Sequence, residues 1–156
     1  MKKSALIEII ATLLIMMFLY ASFSKYFGFK QFEIAMHNQP FPYWFSAILI
    51  WVLPLVEIGI AILLFMDKTK RVGLIASTAI MTLFTLYIAI ILLHFFPRVP
   101  CSCGGVIMLL NWNQHLIFNL FFLFISFLGY KLQSGSEKSM LQTIKEFKNI
   151  SRAKSG

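Results

Sequence analysis

Apolar and polar positions separate into long blocks along this chain instead of alternating at short range. Ala5 to Phe23, Tyr43 to Met66, Val72 to Phe96 and His115 to Tyr130 are almost unbroken apolar runs, and the lysines, arginines and most turn-forming residues lie between them. A hydrocarbon core of about 30 Å needs roughly 20 helical residues, so the first three runs are long enough to cross it. The fourth crosses if its helix starts nearer Leu109 or Asn111, leaving Asn111, Asn113 and Gln114 at the interface. The pattern predicts an all-α fold. It is a bundle of four transmembrane helices over about 5–23, 43–66, 72–96 and 111–130, making one membrane domain of residues 1–130. Lys2-Lys3 before the first run resembles the start of a signal peptide, but no small-residue cleavage site follows Phe23, so the run is expected to be a retained span.

Past Tyr130 the pattern changes. Ser134 precedes Glu137 by three residues, as in a capping box, and Met140, Leu141, Ile144, Phe147 and Ile150 recur at helical spacing between lysines. Residues 131–156 are therefore expected to form a basic cytoplasmic tail. Its two readings are an amphipathic helix on the inner leaflet and a solvated, frayed segment.

Composition sharpens this picture. The chain is 59% hydrophobic and 13% charged, where soluble domains have an apolar share of about 45–50%, which excludes a soluble enzyme. The net charge of +8 does not point to nucleic acid, because the basic residues sit between and after the spans, where orientation signals belong. Eleven of the 14 Lys and Arg fall at the end of the bundle that carries the termini, and Lys25, Lys30 and Arg98 fall at the other. The positive-inside rule then predicts both termini in the cytoplasm of a bacterium, the chain being multi-pass in the inner membrane with the lipid bilayer as its first partner. Residues 24–42 and 97–113 would face the periplasm or exterior, with Tyr26, Tyr43, Trp44, Phe95, Phe96 and Trp112 as an interfacial belt.

Candidate chemistry concentrates in that outer face. The two cysteines stand one residue apart in Pro100-Cys101-Ser102-Cys103-Gly104-Gly105, on the side where disulfides persist. A ring closed between residues i and i+2 meets disulfide geometry only with backbone bending, and strained, exposed disulfides are the labile or catalytic ones. Redox exchange by Cys101 and Cys103 is the leading reading. A structural disulfide and a thiolate pair holding Cu(I) or Zn with His94 or His115 are the alternatives. The chain has no C-x-x-C, no second cysteine pair and no Met-rich loop, so no metal site is assigned. His115, twelve residues after Cys103, is placed to move protons for thiol exchange, or is simply an interfacial histidine.

Inside the spans Glu57 is the costly residue. It stands fourteen residues after Tyr43 and nine before Met66, a depth at which a charge costs at least about 2.5–3.5 kcal/mol. No Lys or Arg of another span lies at comparable depth in this layout, so Glu57 is expected to be a neutral carboxyl facing the bundle interior. Its role is that of a proton relay or a binder of a polar head group; otherwise it is a hydrogen-bonded packing residue. Pro54, one turn earlier, removes a backbone donor. Tyr20, Ser24, Trp51, Tyr87 and Asn119 are candidates to line the same interior, with Trp51, Tyr87 and Asn119 the cofactor-binding choices.

Taken together, Ser24-Lys25-Tyr26-Phe27-Gly28-Phe29, Trp51-Val52-Leu53-Pro54-Leu55-Val56-Glu57, Phe84-Thr85-Leu86-Tyr87, and Cys101-Ser102-Cys103-Gly104-Gly105 followed by Asn111-Trp112-Asn113-Gln114-His115 resemble the MauE/DoxX family of redox-associated membrane proteins. The resemblance runs from about Ser4 to Tyr130. It implies a four-helix membrane bundle and, in the methylamine-utilisation branch, a part in maturation and disulfide formation of a periplasmic dehydrogenase subunit. The layout is also similar to the four-helix disulfide-generating enzymes DsbB and vitamin K epoxide reductase, which pass electrons to a membrane quinone, although this chain has C-x-C in place of C-x-x-C and lacks their second pair. Three function classes follow: a membrane thiol-disulfide oxidoreductase with a periplasmic thiol partner, a non-enzymatic membrane scaffold for an exported partner, and a small metal or solute carrier.

Overall fold

The computed structural model describes residues 3–93 and 112–154. Among these the chain is helical, with α1 over Lys3–Phe27, α2 over Phe29–His37, α3 over Tyr43–Phe65, α4 over Lys70–Leu92 and α5 over Trp112–Lys154. Four of the helices contain stretches long and apolar enough to cross a membrane: Lys3–Phe27, Tyr43–Phe65, Lys70–Leu92 and Asn113–Gly135. The first therefore runs four residues beyond the apolar run that announces it, and its last turn carries Lys25.

Each span packs on the two beside it in the ring order α1, α3, α4, α5. Because successive spans run in opposite directions, the molecule has a termini end, where α1 begins and the α3–α4 turn lies, and a distal end, where α4 finishes and α5 starts. The buried core of Ile10, Leu14, Phe18, Ile60, Ala61, Leu64, Leu74 and Met81 is weighted toward the termini end. Two glycines let the helices meet there. A Cβ on Gly73 would lie 2.8 Å from the Leu64 backbone nitrogen, and one on Gly129 would lie 2.9 Å from Ile10 Cγ2 and 3.0 Å from Leu74 Cδ2. Between helices in lipid the hydrophobic drive is weak, so close backbone approach of this kind supplies the packing energy.

Several polar residues in the spans are bonded locally or across helices, while the buried Ser46, Ser77 and Ser126 hydroxyls make no hydrogen bond among the described residues. Thr78, Thr82 and Thr85 donate to the carbonyls four residues back at 2.8, 2.7 and 2.7 Å. At the termini end the buried Lys70 Nζ donates to Glu8 Oε1 at 2.6 Å and Asp67 Oδ1 at 2.7 Å, tying α1 to the α3–α4 turn. The Lys70 hydrogen bond and positive charge hold the exposed Asp67 carboxyl below the usual carboxylate range.

Two sequence expectations need revision. The sequence pattern places no helix in residues 24–42, but α1 runs on to Phe27 and α2 covers Phe29–His37, its Phe32 and Met36 packing with Ile50 of α3 into a second small core. Likewise Ser134 does not cap a new helix, because α5 continues unbroken from the membrane stretch to Lys154. At 1.5 Å per residue, a helix of that length extends well past any bilayer core.

Candidate functional site

The distal half of the bundle is not filled. A cavity of about 680 Å³ lies among all four spans and α2. Its walls follow helical spacing: Phe45, Leu49, Leu53 and Glu57 form one stripe of α3, and His115, Phe118, Asn119 and Phe122 one stripe of α5. Tyr87 of α4, with Gln39 and Phe41 from the segment after α2, lines it as well. The Tyr87 hydroxyl donates to Gln39 Oε1, Gln39 Nε2 donates to the Ala35 carbonyl at 3.3 Å, and Phe41 stacks on Tyr87 with ring centroids 5.5 Å apart. These contacts pin the α2–α3 connection over the cavity. Met16 of α1 and Leu83 of α4 line it while 67% and 62% exposed, so at these two places a single side chain forms both the cavity wall and the lipid-facing surface.

Glu57 lines this cavity and is buried, but it is not the lone carboxyl expected from the sequence. Lys25 Nζ lies 2.7 Å from Glu57 Oε1 and 3.0 Å from Oε2, with both side chains less than a tenth exposed. The reason is geometric. Helical side chains lean toward their own N-terminus. Lys25 on α1 therefore leans back into the bundle, toward Ala21 whose carbonyl accepts its third hydrogen bond at 3.2 Å, while Glu57 on the antiparallel α3 leans to meet it. Phe32 of α2 covers the ammonium at 5.9 Å. One turn before Glu57, Ser22 Oγ donates to the Pro54 carbonyl at 3.2 Å, a second polar clasp between the same two helices.

His115 and Asn119 are buried and line the cavity, and His115 lies within the field of Lys25. Tyr20 and Tyr87 also reach it. Trp51 does not: it is 61% exposed and packs against Phe29 at 5.4 Å on the outside of the bundle, because its position on α3 is turned away from the Phe45–Glu57 stripe. Ser24 is likewise absent from the lining, its place being taken by Ala21 and Lys25. Cys101 and Cys103, with His94 and Arg98, lie outside the described residues. The residues that flank their segment are both distal: Leu93 caps α4, and Trp112 opens α5 three residues before His115.

Sequence reasoning missed Lys25, Gln39 and α2. A sequence signal existed for α2 alone, and Lys25 falls on a stripe that only the packing identifies. Phe29, Phe32 and Met36 recur at helical spacing, and Lys25 continues the α1 stripe of Ala11, Leu14, Phe18 and Ser22 that is buried throughout.

This arrangement can do two things chemically. It can hold a flat apolar molecule among aromatic side chains, and it can present to it a matched cation and anion, a histidine and an amide in a medium from which bulk water is excluded. Neither a curated relative nor a solved structure shows significant similarity to this chain. A family model does: residues 3–132, which take in the first three membrane-crossing helices, most of the fourth and every residue lining the cavity, match that of the methylamine utilisation protein MauE. The chain belongs to the MauE family, as a multi-pass membrane protein.

Proposed function

We propose that this protein is a membrane thiol-disulfide redox protein serving methylamine utilisation, in which Cys101 and Cys103 exchange with the thiols of an exported partner. The observation that carries this reading is the attachment of the cysteine segment. Its flanking residues, Leu93 and Trp112, sit at the distal end, the same end at which Tyr87, Gln39 and His115 line the cavity. Cys103 is nine residues from Trp112, a tether of at most about 30 Å.

The exchange balances as two displacements. A partner thiolate attacks one sulfur of the Cys101–Cys103 disulfide, forming a mixed disulfide and releasing the other sulfur as a thiolate. The partner's second thiolate then displaces the bound cysteine. The partner leaves with a disulfide, the chain holds a dithiol, and the partner's two protons pass to the Cys101 and Cys103 sulfurs. His115, one turn into α5, is the group proposed to carry a proton in this step. The orientation supporting it has both termini in the cytoplasm of a bacterial inner membrane. With the ion-paired Lys25 and Lys70 set aside, the Lys and Arg count is ten to two in favour of the termini end.

Cys101→Ser and Cys103→Ser variants test the reading. One of the two is expected to accumulate a mixed disulfide with an exported protein, seen as a reductant-sensitive band on non-reducing gels. If neither traps a partner and maturation of the exported protein proceeds in the doubly substituted chain, the protein is a scaffold and the redox reading is wrong.

A further inference from the structure

The cavity holds more information than the thiol chemistry uses. Its 680 Å³ falls within the 300–1,000 Å³ of small-molecule sites, and its lining is mostly apolar, with the polar side chains of Lys25, Gln39, Glu57, Tyr87, His115 and Asn119 set among aromatic and aliphatic ones. Phe41, Phe45, Phe84, Phe118 and Phe122 offer ring faces and edges to a planar guest. At Met16 and Leu83 the wall between cavity and lipid is one flexible side chain thick, the route by which a lipid-soluble molecule would enter.

Charge selects among such molecules. Both Glu57 oxygens are engaged by the Lys25 ammonium, so the wall is neutral as a unit. A carboxylate or phosphate head group would have to strip Lys25 from Glu57 and leave a carboxylate buried without its counter-ion, which disfavours fatty acids and phospholipids. A neutral guest leaves the pair intact. Asn119 adds a specific demand: the residue is 5% exposed, and its Nδ2 makes no hydrogen bond among the described residues. A buried donor without an acceptor is costly, and the soft χ2 torsion of Asn allows the amide to turn toward an oxygen in the cavity.

We propose that the cavity is a binding site for a neutral, planar, lipid-soluble carbonyl compound of the quinone class, which enters from the lipid side and accepts a hydrogen bond from Asn119 through a ring carbonyl. The choice of a quinone over other neutral carbonyl compounds rests on the proposed redox function. Reduction of a quinone to the hydroquinone takes up two electrons and two protons, the number released when a dithiol closes to a disulfide. The remaining features rest on the cavity alone.

Ubiquinone-1, a benzoquinone with a single isoprene unit, is the probe. Titrated into the purified protein in nanodiscs, it is expected to bind saturably and to raise the melting temperature with increasing concentration. Oleate and squalene at equal concentration should do neither. Asn119→Leu is expected to weaken binding about tenfold, the effect of one buried hydrogen bond. Leu49→Trp, which fills the cavity from α3, should abolish saturable binding and serves if Asn119→Leu does not accumulate. Cys101→Ser/Cys103→Ser should bind ubiquinone-1 as the unaltered chain does. Binding lost only with the cysteines places the quinone elsewhere and overturns the proposal, as does equal competition by oleate or full affinity in Leu49→Trp. Binding retained in a chain that traps no thiol partner removes the redox reading and leaves the site standing.

Discussion

Replacing Lys25 by Met removes one half of the ion pair that joins α1 to α3, and its cost follows from burial. The Lys25 and Glu57 side chains are 7% and 3% exposed, and both carboxylate oxygens face the ammonium within 3.0 Å. A charge uncompensated at span depth costs about 2.5–3.5 kcal/mol on insertion scales, and breaking a buried pair costs about 3–5 kcal/mol. Lys25→Met should therefore lose about 3 kcal/mol. Glu57→Gln, which on sequence grounds alone should keep the fold, is expected to destabilise as well, since it leaves the ammonium without its counter-charge. The double variant Lys25→Met/Glu57→Leu removes both charges together and should recover to within about 1 kcal/mol of the parent, because an apolar pair of similar volume replaces a buried ion pair at little or no cost. Reversible unfolding in mixed micelles, followed by circular dichroism, gives the four stabilities of the cycle. An exposed pair would show a coupling below about 1 kcal/mol. A coupling in that range, or a double variant as unstable as the two single losses added together, would refute the pairing of these residues in the folded protein.

Four further outcomes are expected. Gly73→Ala should lose about 1–3 kcal/mol in thermal unfolding because its Cβ would press on the Leu64 backbone, whereas Gly59→Ala, with no atom within 4 Å of the new Cβ, should unfold at or slightly above the parent temperature. Glu8→Gln and Asp67→Asn should each be mild, since the other carboxylate still holds Lys70, and the double variant should lose more than both together. Because the folded state depresses the Asp67 pKa, its contribution is present above the ordinary carboxylate range and lost as the pH falls through and below it; a pH series of melting temperatures in the parent and Asp67→Asn should converge at acid pH. A membrane-impermeant thiol reagent should label reduced Cys101 and Cys103 in intact cells, and labelling that needs permeabilised membranes would invert the proposed orientation.

Much of the architecture is legible in the amino-acid sequence itself. Length and apolarity of the four runs determine four membrane-crossing helices, because no other element but a closed barrel satisfies its backbone in lipid. The family that the sequence resembles is likewise the one that the match over 3–132 shows. Tertiary structure alone decides which faces meet. A helix that is apolar on all sides, as membrane spans are, carries little directional signal, so apart from Glu57, which marks the inner stripe of α3, nothing in the α1 or α3 sequence says which stripe is turned inward. The linear pattern for that reason assigns Lys25 to the aqueous edge and Trp51 to the interior, when packing buries Lys25 and leaves Trp51 on the outside of the bundle. The same limit hides the Lys25–Glu57 pair. Its partners lie 32 residues apart, and they meet because two antiparallel helices lean their side chains toward opposite ends. The cavity, too, is a property of the assembled bundle: Gly73 and Gly129 draw the helices together at the termini end, and the bulky aromatic stripes and α2 hold them apart at the other.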